Sequence, residues 1–160
     1  MSADKILRDQ LVALLRGGEA HATLETTIRE YPSELASKRA GTVPNTPWRL
    51  LEHMRIAQHD ILEFSRDADH VSPPFPDGYW PEGDAPPTPS AWNETVEAFC
   101  SDLAAMQDLV ADPASDLFGP IPHGDGQTLL REAILVADHN AYHLGQLVSI
   151  LRALEAEEDA

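Results

Sequence analysis

Apolar residues recur along this chain in steps of three and four, and proline-rich connections separate the runs. A period near 3.6 residues is the signature of amphipathic helices that each bury one face. The first predicted helix begins near Asp4 and carries Leu7, Leu11, Leu14 and Leu15 before Gly17-Gly18 bends or ends it. A further piece from about Thr23 to Tyr31 reads as able to continue the same rod. The second long helix opens at Thr46-Pro47-Trp48, a cap residue followed by proline where its missing N–H costs nothing, and runs to about Arg66. Its apolar stripe is Leu50, Met54, Ala57, Ile61 and Phe64. His53 points in nearly the direction of Ala57 and Phe64, hence inward.

The third helix is predicted from Thr88-Pro89 and shows the cleanest period: Trp92, Val96, Phe99, Leu103, Met106 and Val110, stopping before Pro113. The fourth starts around Thr128 and continues through Leu154, with Leu130, Ala133, Ala137, Leu144, Leu147 and Leu151 apolar. The acidic tail from Glu155 to Ala160 is expected to fray. No stretch alternates with period two for long enough to suggest a sheet, and no internal repeat is evident. The expectation is an all-α four-helix bundle, one domain over residues 1–160.

Two connections are long for a simple bundle. Residues 67–87 hold six prolines with Phe75, Tyr79 and Trp80, and residues 113–127 hold Phe118, Pro120, Pro122 and His123. Loops of this length in a compact domain usually cross the bundle or cover a site. Their aromatic content allows two readings: ordered lids, or Trp80 and Phe118 as plugs at the bundle ends.

Composition narrows the partners. Eleven Lys plus Arg against 27 Asp plus Glu give a formal net charge of −16, which repels phosphate backbones and anionic lipid. Nucleic acid and membrane are not expected partners; a small-molecule substrate is, and a homodimer is left open. Cys100 is the single cysteine, so no internal disulfide can form, and its place in a helical core pattern reads as a buried structural thiol. The first ten residues break any apolar run with charges, as a signal peptide does not, and no run could span a bilayer. A cytoplasmic location is expected.

The candidate chemistry lies in Asp138-His139-Asn140-Ala141-Tyr142-His143-Leu144-Gly145-Gln146, where a helix stacks two imidazoles one turn apart. Histidine is the commonest protein ligand for transition metals. Seven histidines in 160 residues supply such a pair by chance on the order of 0.3 times per chain, so spacing alone does not carry the case. The inward His53 does. Three inward imidazoles need a partner for each nitrogen, and a shared metal supplies it. Asn140 stands where a zincin carries its general-base glutamate, which excludes that mechanism. Glu132 and Gln146 lie seven residues either side of His139, and Gln146 is close enough to orient His143 or a substrate. Asp60 reads as a polar layer two turns past His53, not as a ligand.

Leu51-Glu52-His53-Met54 together with the 138–146 segment resembles the DinB-like (YfiT-like) superfamily of metal-dependent enzymes. The resemblance covers most of the chain: helix order, the long second connection, and the Thr128-Leu129-Leu130-Arg131-Glu132 opening of the last helix. It implies a four-helix bundle with up-down-down-up topology, with long loops between helices 2 and 3 and helices 3 and 4. It further implies one divalent metal on three histidines, which fall on His53, His139 and His143. Some relatives resemble S-transferases using thiols such as bacillithiol or mycothiol, one isomerises maleylpyruvate, and one fold hosting several activities leaves the reaction to the pocket.

The expected cofactors are one divalent transition metal, zinc, nickel or iron foremost among those that imidazole suits, and a low-molecular-weight thiol as optional co-reactant. No side chain is assigned as catalytic; the expected nucleophile is a metal-bound water or thiol acting on a small electrophile. The alternatives are a metal-dependent hydrolase and a metal or small-ligand module without turnover. Trp48, Trp80, His123 and Gln146 are the candidate pocket residues. His21, His59 and His70 are not expected to ligate.

Overall fold

Side-chain oxygens set where the helices begin. In the computed structural model, which describes residues 2–158, Ser2 accepts from the amide of Lys5, Thr23 from Thr26, Thr46 from Arg49 and Thr128 from Arg131. Such caps satisfy amides that the first turn leaves unpaired. They start α1 (Ala3–Arg16), α2 (Leu24–Arg29), α3 (Pro47–Arg66) and α5 (Leu129–Glu158). Helix α4 (Ala91–Ala111) has no side-chain cap. There the Ala91 amide donates to the Thr88 carbonyl in a turn, so the regular helix begins at Ala91, past the predicted Thr88-Pro89 opening.

The protein is all-α. Among the described residues there is no strand, only isolated antiparallel bridges between Gly17 and Thr23 and between Pro120 and Thr128. The first bridge decides between the open readings: Gly17-Gly18 ends the first helix, and the Thr23–Tyr31 piece does not continue the rod. Gly17 takes φ +71°, a conformation that costs other residues dearly, and the chain doubles back so that α2 is a separate short helix. Helix α5 continues into the acidic tail as far as Glu158; Asp159 and Ala160 lie outside the described residues. No helix of the described residues is long and apolar enough to cross a membrane.

Helix α3 lies against α4 and α5, and α1 lies against the same two. All six predicted positions of α4, from Trp92 to Val110, are buried. Leu11 and Leu15 of α1 are buried too, but Leu14 is 55% exposed. It sits roughly 90° around the helix from the centre of the buried face, which Arg8 completes instead. On α5, Ala133, Ala137, Leu144 and Leu147 are buried as expected, while Leu130 and Leu151 are half-buried and Val136, Ile150 and Leu154 take inner positions. Polar pairs fix the register of α3 in this packing. Glu52 accepts from Thr95, Gln58 donates to the Phe99 carbonyl, His59 meets Asp102, and Asn140 of α5 donates to Gln58.

The buried Arg8 joins α1 to the end of α4. Its guanidinium donates to the carbonyls of Val110, Asp112 and Ser115 at 2.7–2.8 Å and to Asp4. These carbonyls belong to the α4 terminus and the turn after it, where helical partners run out. Removing the guanidinium strands three acceptors at once. Arg8→Ala is expected to lower stability by about 3 kcal/mol, read as a shifted midpoint in urea unfolding. An unchanged midpoint would show these bonds to be replaceable by water.

Candidate metal centre

Two helices and one loop bring the three predicted histidines together. His53 comes from the middle of α3, and His139 and His143 come from successive turns of α5. One nitrogen from each imidazole lies within 4.8 Å of the other two. The Nε2 atoms of His53 and His139 are 3.0 Å apart. His53 and His143 are buried and His139 is half-buried.

The remaining ring nitrogens decide the tautomers. Nδ1 of His53 lies 2.7 Å from the Tyr79 carbonyl, which can only accept, so Nδ1 carries a proton and the neutral ring presents a lone pair at Nε2. Nδ1 of His143 likewise donates to Oε1 of Gln146 at 2.6 Å, leaving its Nε2 free. Fixing the far nitrogen on an oxygen acceptor is the usual device that orients a ligating histidine and raises its basicity. Gln146 therefore positions His143 from behind; it does not line the main cavity.

Burial keeps all three rings neutral. It lowers the pKa of each, against the raising effect of the Tyr79 carbonyl on His53 and of Gln146 on His143. His139 falls furthest, to about 4, first through burial and then through its two imidazole neighbours. Neutral imidazoles aimed at one another are the donor set that a divalent transition metal takes, and the residues fit such an ion.

Beside the trio opens a cavity of about 660 Å³, mostly apolar, between α3, α5 and the connection 67–90. Trp80 stacks flat on His53, ring centres 3.8 Å apart and planes within 2°, and Arg49 lies 5.6 Å from the Trp80 ring centre. The connection is fastened along α3 by Thr46 donating to the Asp84 carbonyl, by Arg49 to that of Pro81, and by His53 to that of Tyr79. Of the two readings of its aromatics, Trp80 covers the site. Phe118 neither plugs nor covers: it is 62% exposed, and Leu117 and Ile121 are buried in that loop instead.

Two candidate pocket residues lie elsewhere. Trp48 is in the core, its amide on the Ala36 carbonyl, because the first turn of α3 faces the segment before it, not the cavity. His123 is exposed and its Nε2 meets the Phe64 carbonyl at 2.7 Å, tying its loop to the C-terminal turn of α3. His21, His59 and His70 stay outside the trio, His59 on Asp102 and His70 on Asp60. Cys100 is half-buried, and burial raises its pKa. Asn140 turns into the core towards Gln58, so no side chain at that position serves the cavity.

Tyr79 is a contributor that residue type does not announce, because its contact with His53 is made by a backbone carbonyl, which any residue carries. The aromatic enrichment of the loop was its one signal.

A helical protein with three convergent histidines beside an apolar cavity is the class that fold and site define. The family model for the DinB superfamily matches residues 8–147, and the chain belongs to that superfamily. No curated protein and no solved structure matches the chain.

The lowered pKa values carry a sign for stability. In the metal-free protein the unfolded chain binds protons at these histidines before the folded one does, so stability rises with pH across that window. It is expected to fall as pH drops from about 6.5 towards 4, the span set by His139. Urea unfolding at pH 7 and pH 5 should show a larger loss for the native protein than for His139→Gln. Equal losses would mean that His139 is not held neutral.

Proposed function

We propose that this protein binds one divalent transition metal through His53, His139 and His143 and works as a metal-dependent enzyme on a small-molecule electrophile, of the thiol S-transferase type. The observation that carries the proposal is the approach of His53 Nε2 and His139 Nε2 to 3.0 Å, with the far nitrogen of His53 committed to a carbonyl. Two lone pairs at that distance repel unless a proton or a cation lies between them. A cation suits a third imidazole arriving beside them. When bound, such an ion acidifies a water or thiol ligand and makes it nucleophilic near neutral pH.

The protein's own residues would do the rest. Tyr79 and Gln146 hold two of the rings in the ligating tautomer. Ala57, Ile61, Phe64 and Leu135 give the cavity apolar walls that exclude water from an uncharged organic substrate. Hydrolysis of the same electrophile is the second enzymatic reading. Asn140 lies against Gln58, away from the cavity, so the position next to His139 supplies no general base; this favours a binding module without turnover as the other alternative.

Topology and setting belong to the same proposal. The pairs Glu52–Thr95 and His59–Asp102 support α3 and α4 running in parallel, and Arg8 reaching the end of α4 supports α1 running against it. With His53 opposite His143 and Gln58 opposite Asn140, these favour an up-down-down-up four-helix bundle. The net charge of −16 argues for a small-molecule partner over nucleic acid or anionic lipid, and the single cysteine, Cys100, fits a cytoplasmic setting.

Elemental analysis of protein purified without chelators is expected to find about one divalent metal ion per chain, and His143→Ala to lose it. Unchanged metal content in that variant would place the site elsewhere. Metal-loaded protein is then incubated with low-molecular-weight thiols and electrophiles. Stoichiometric thiol consumption marks a transferase, loss of electrophile without thiol a hydrolase, and neither a binding module.

A further inference from the structure

Tyr79 touches α3 twice. Its backbone carbonyl takes the Nδ1 proton of His53 at 2.7 Å, and its hydroxyl donates to Oδ2 of Asp60 at 2.6 Å. Asp60 lies seven residues after His53, two turns along the same helix face, or about 10 Å in rise. Asp60 is buried, 8% exposed, and its other carboxylate oxygen accepts from Nε2 of His70 at 2.8 Å. A buried carboxylate bonded to two donors is a strong, directional anchor. The loop residue is therefore held at both ends, with one end on a proposed metal ligand.

The turn that carries Tyr79 is built for close approach. In the 3-10 turn Asp77–Tyr79, the Gly78 amide donates to the Pro74 carbonyl. A Cβ on Gly78 would fall 2.7 Å from Pro74 Cδ and 2.9 Å from Pro73 Cβ. Pyrrolidine rings cannot swing aside as a long side chain can. The turn is thus packed tightly against its own prolines, and the Asp60 bond is the side-chain contact that ties Tyr79 itself to α3.

We propose that Asp60 and Tyr79 are positioning residues for His53: the Asp60–Tyr79 side-chain bond seats the Tyr79 carbonyl on Nδ1, which holds the ring in the Nδ1–H tautomer with Nε2 towards His139 and His143. His70 supports Asp60 from behind. Trp80, the next residue, is seated on the His53 ring by the same anchor. The consequence for metal affinity rests on His53 being a ligand; the tautomer does not.

The test reads the tautomer directly. Long-range proton–nitrogen NMR of the metal-free protein is expected to show His53 as a single Nδ1–H tautomer, and Tyr79→Phe to convert it to a mixture. Asp60→Ala should do the same, Asp60→Asn should retain part of the native signal through its remaining acceptor oxygen, and Tyr79→Phe combined with Asp60→Ala should go no further than either alone. Zinc affinity, from competition with a chromophoric chelator, should weaken about 10–100-fold in Tyr79→Phe. A His53 tautomer unchanged in Tyr79→Phe, which removes one hydroxyl and little packing, would overturn the proposal, whatever its thermal stability. Were the native protein to bind no zinc while the tautomer still responded, the metal assignment would fail and the positioning role would stand.

Discussion

A proton shared between Nδ1 of His53 and the carbonyl of Tyr79 is the bond on which the site depends. Because a carbonyl can only accept, it removes the choice of tautomer from a neutral imidazole and leaves one lone pair, on the side facing α5. The other two rings gain meaning from that constraint. His139 approaches the exposed lone pair, and His143, held by Gln146, arrives beside it. Without the loop, His53 would be an inward histidine with two undecided nitrogens.

The same constraint explains why a connection rich in proline is ordered along α3. Proline cannot join a helix interior and withholds a donor, so residues 67–90 remain irregular and must find partners outside themselves. Thr46, Arg49, His53 and Asp60 provide them at intervals along one helix. The fastened loop becomes a wall of the cavity and brings Trp80 flat against His53. Fold and site are thus coupled through α3, which packs on α4 with one face and carries the loop and His53 on another.

Much of this was legible in the residues. Hydroxyl cap and N1 proline marked the start of α3 because their chemistry is local, although the same pair at Thr88-Pro89 did not start α4, and the α4 seam was readable because burial repeats every turn. The inward direction of His53 followed from helical phase. Errors arose where phase met a particular neighbour. Leu14 has the right chemistry but sits beside the buried face, and Arg8, which composition would place in water, is buried because orphan carbonyls of α4 await it. Trp48 and His123 were plausible by type, yet one faces the core and the other binds a helix end.

The sequence by itself determined the helices, the family and the identity of the three histidines, because periodicity, caps and side-chain chemistry are properties of residues and their near neighbours. The tertiary structure alone decided that α1 and α2 part at Gly17, that the 67–90 connection lies on α3, and which nitrogen of His53 is free. Those outcomes hang on contacts between residues far apart in the chain, several made by backbone carbonyls. A carbonyl is common to every residue, so its partner is fixed only when the helices have packed and the loop has been laid across them.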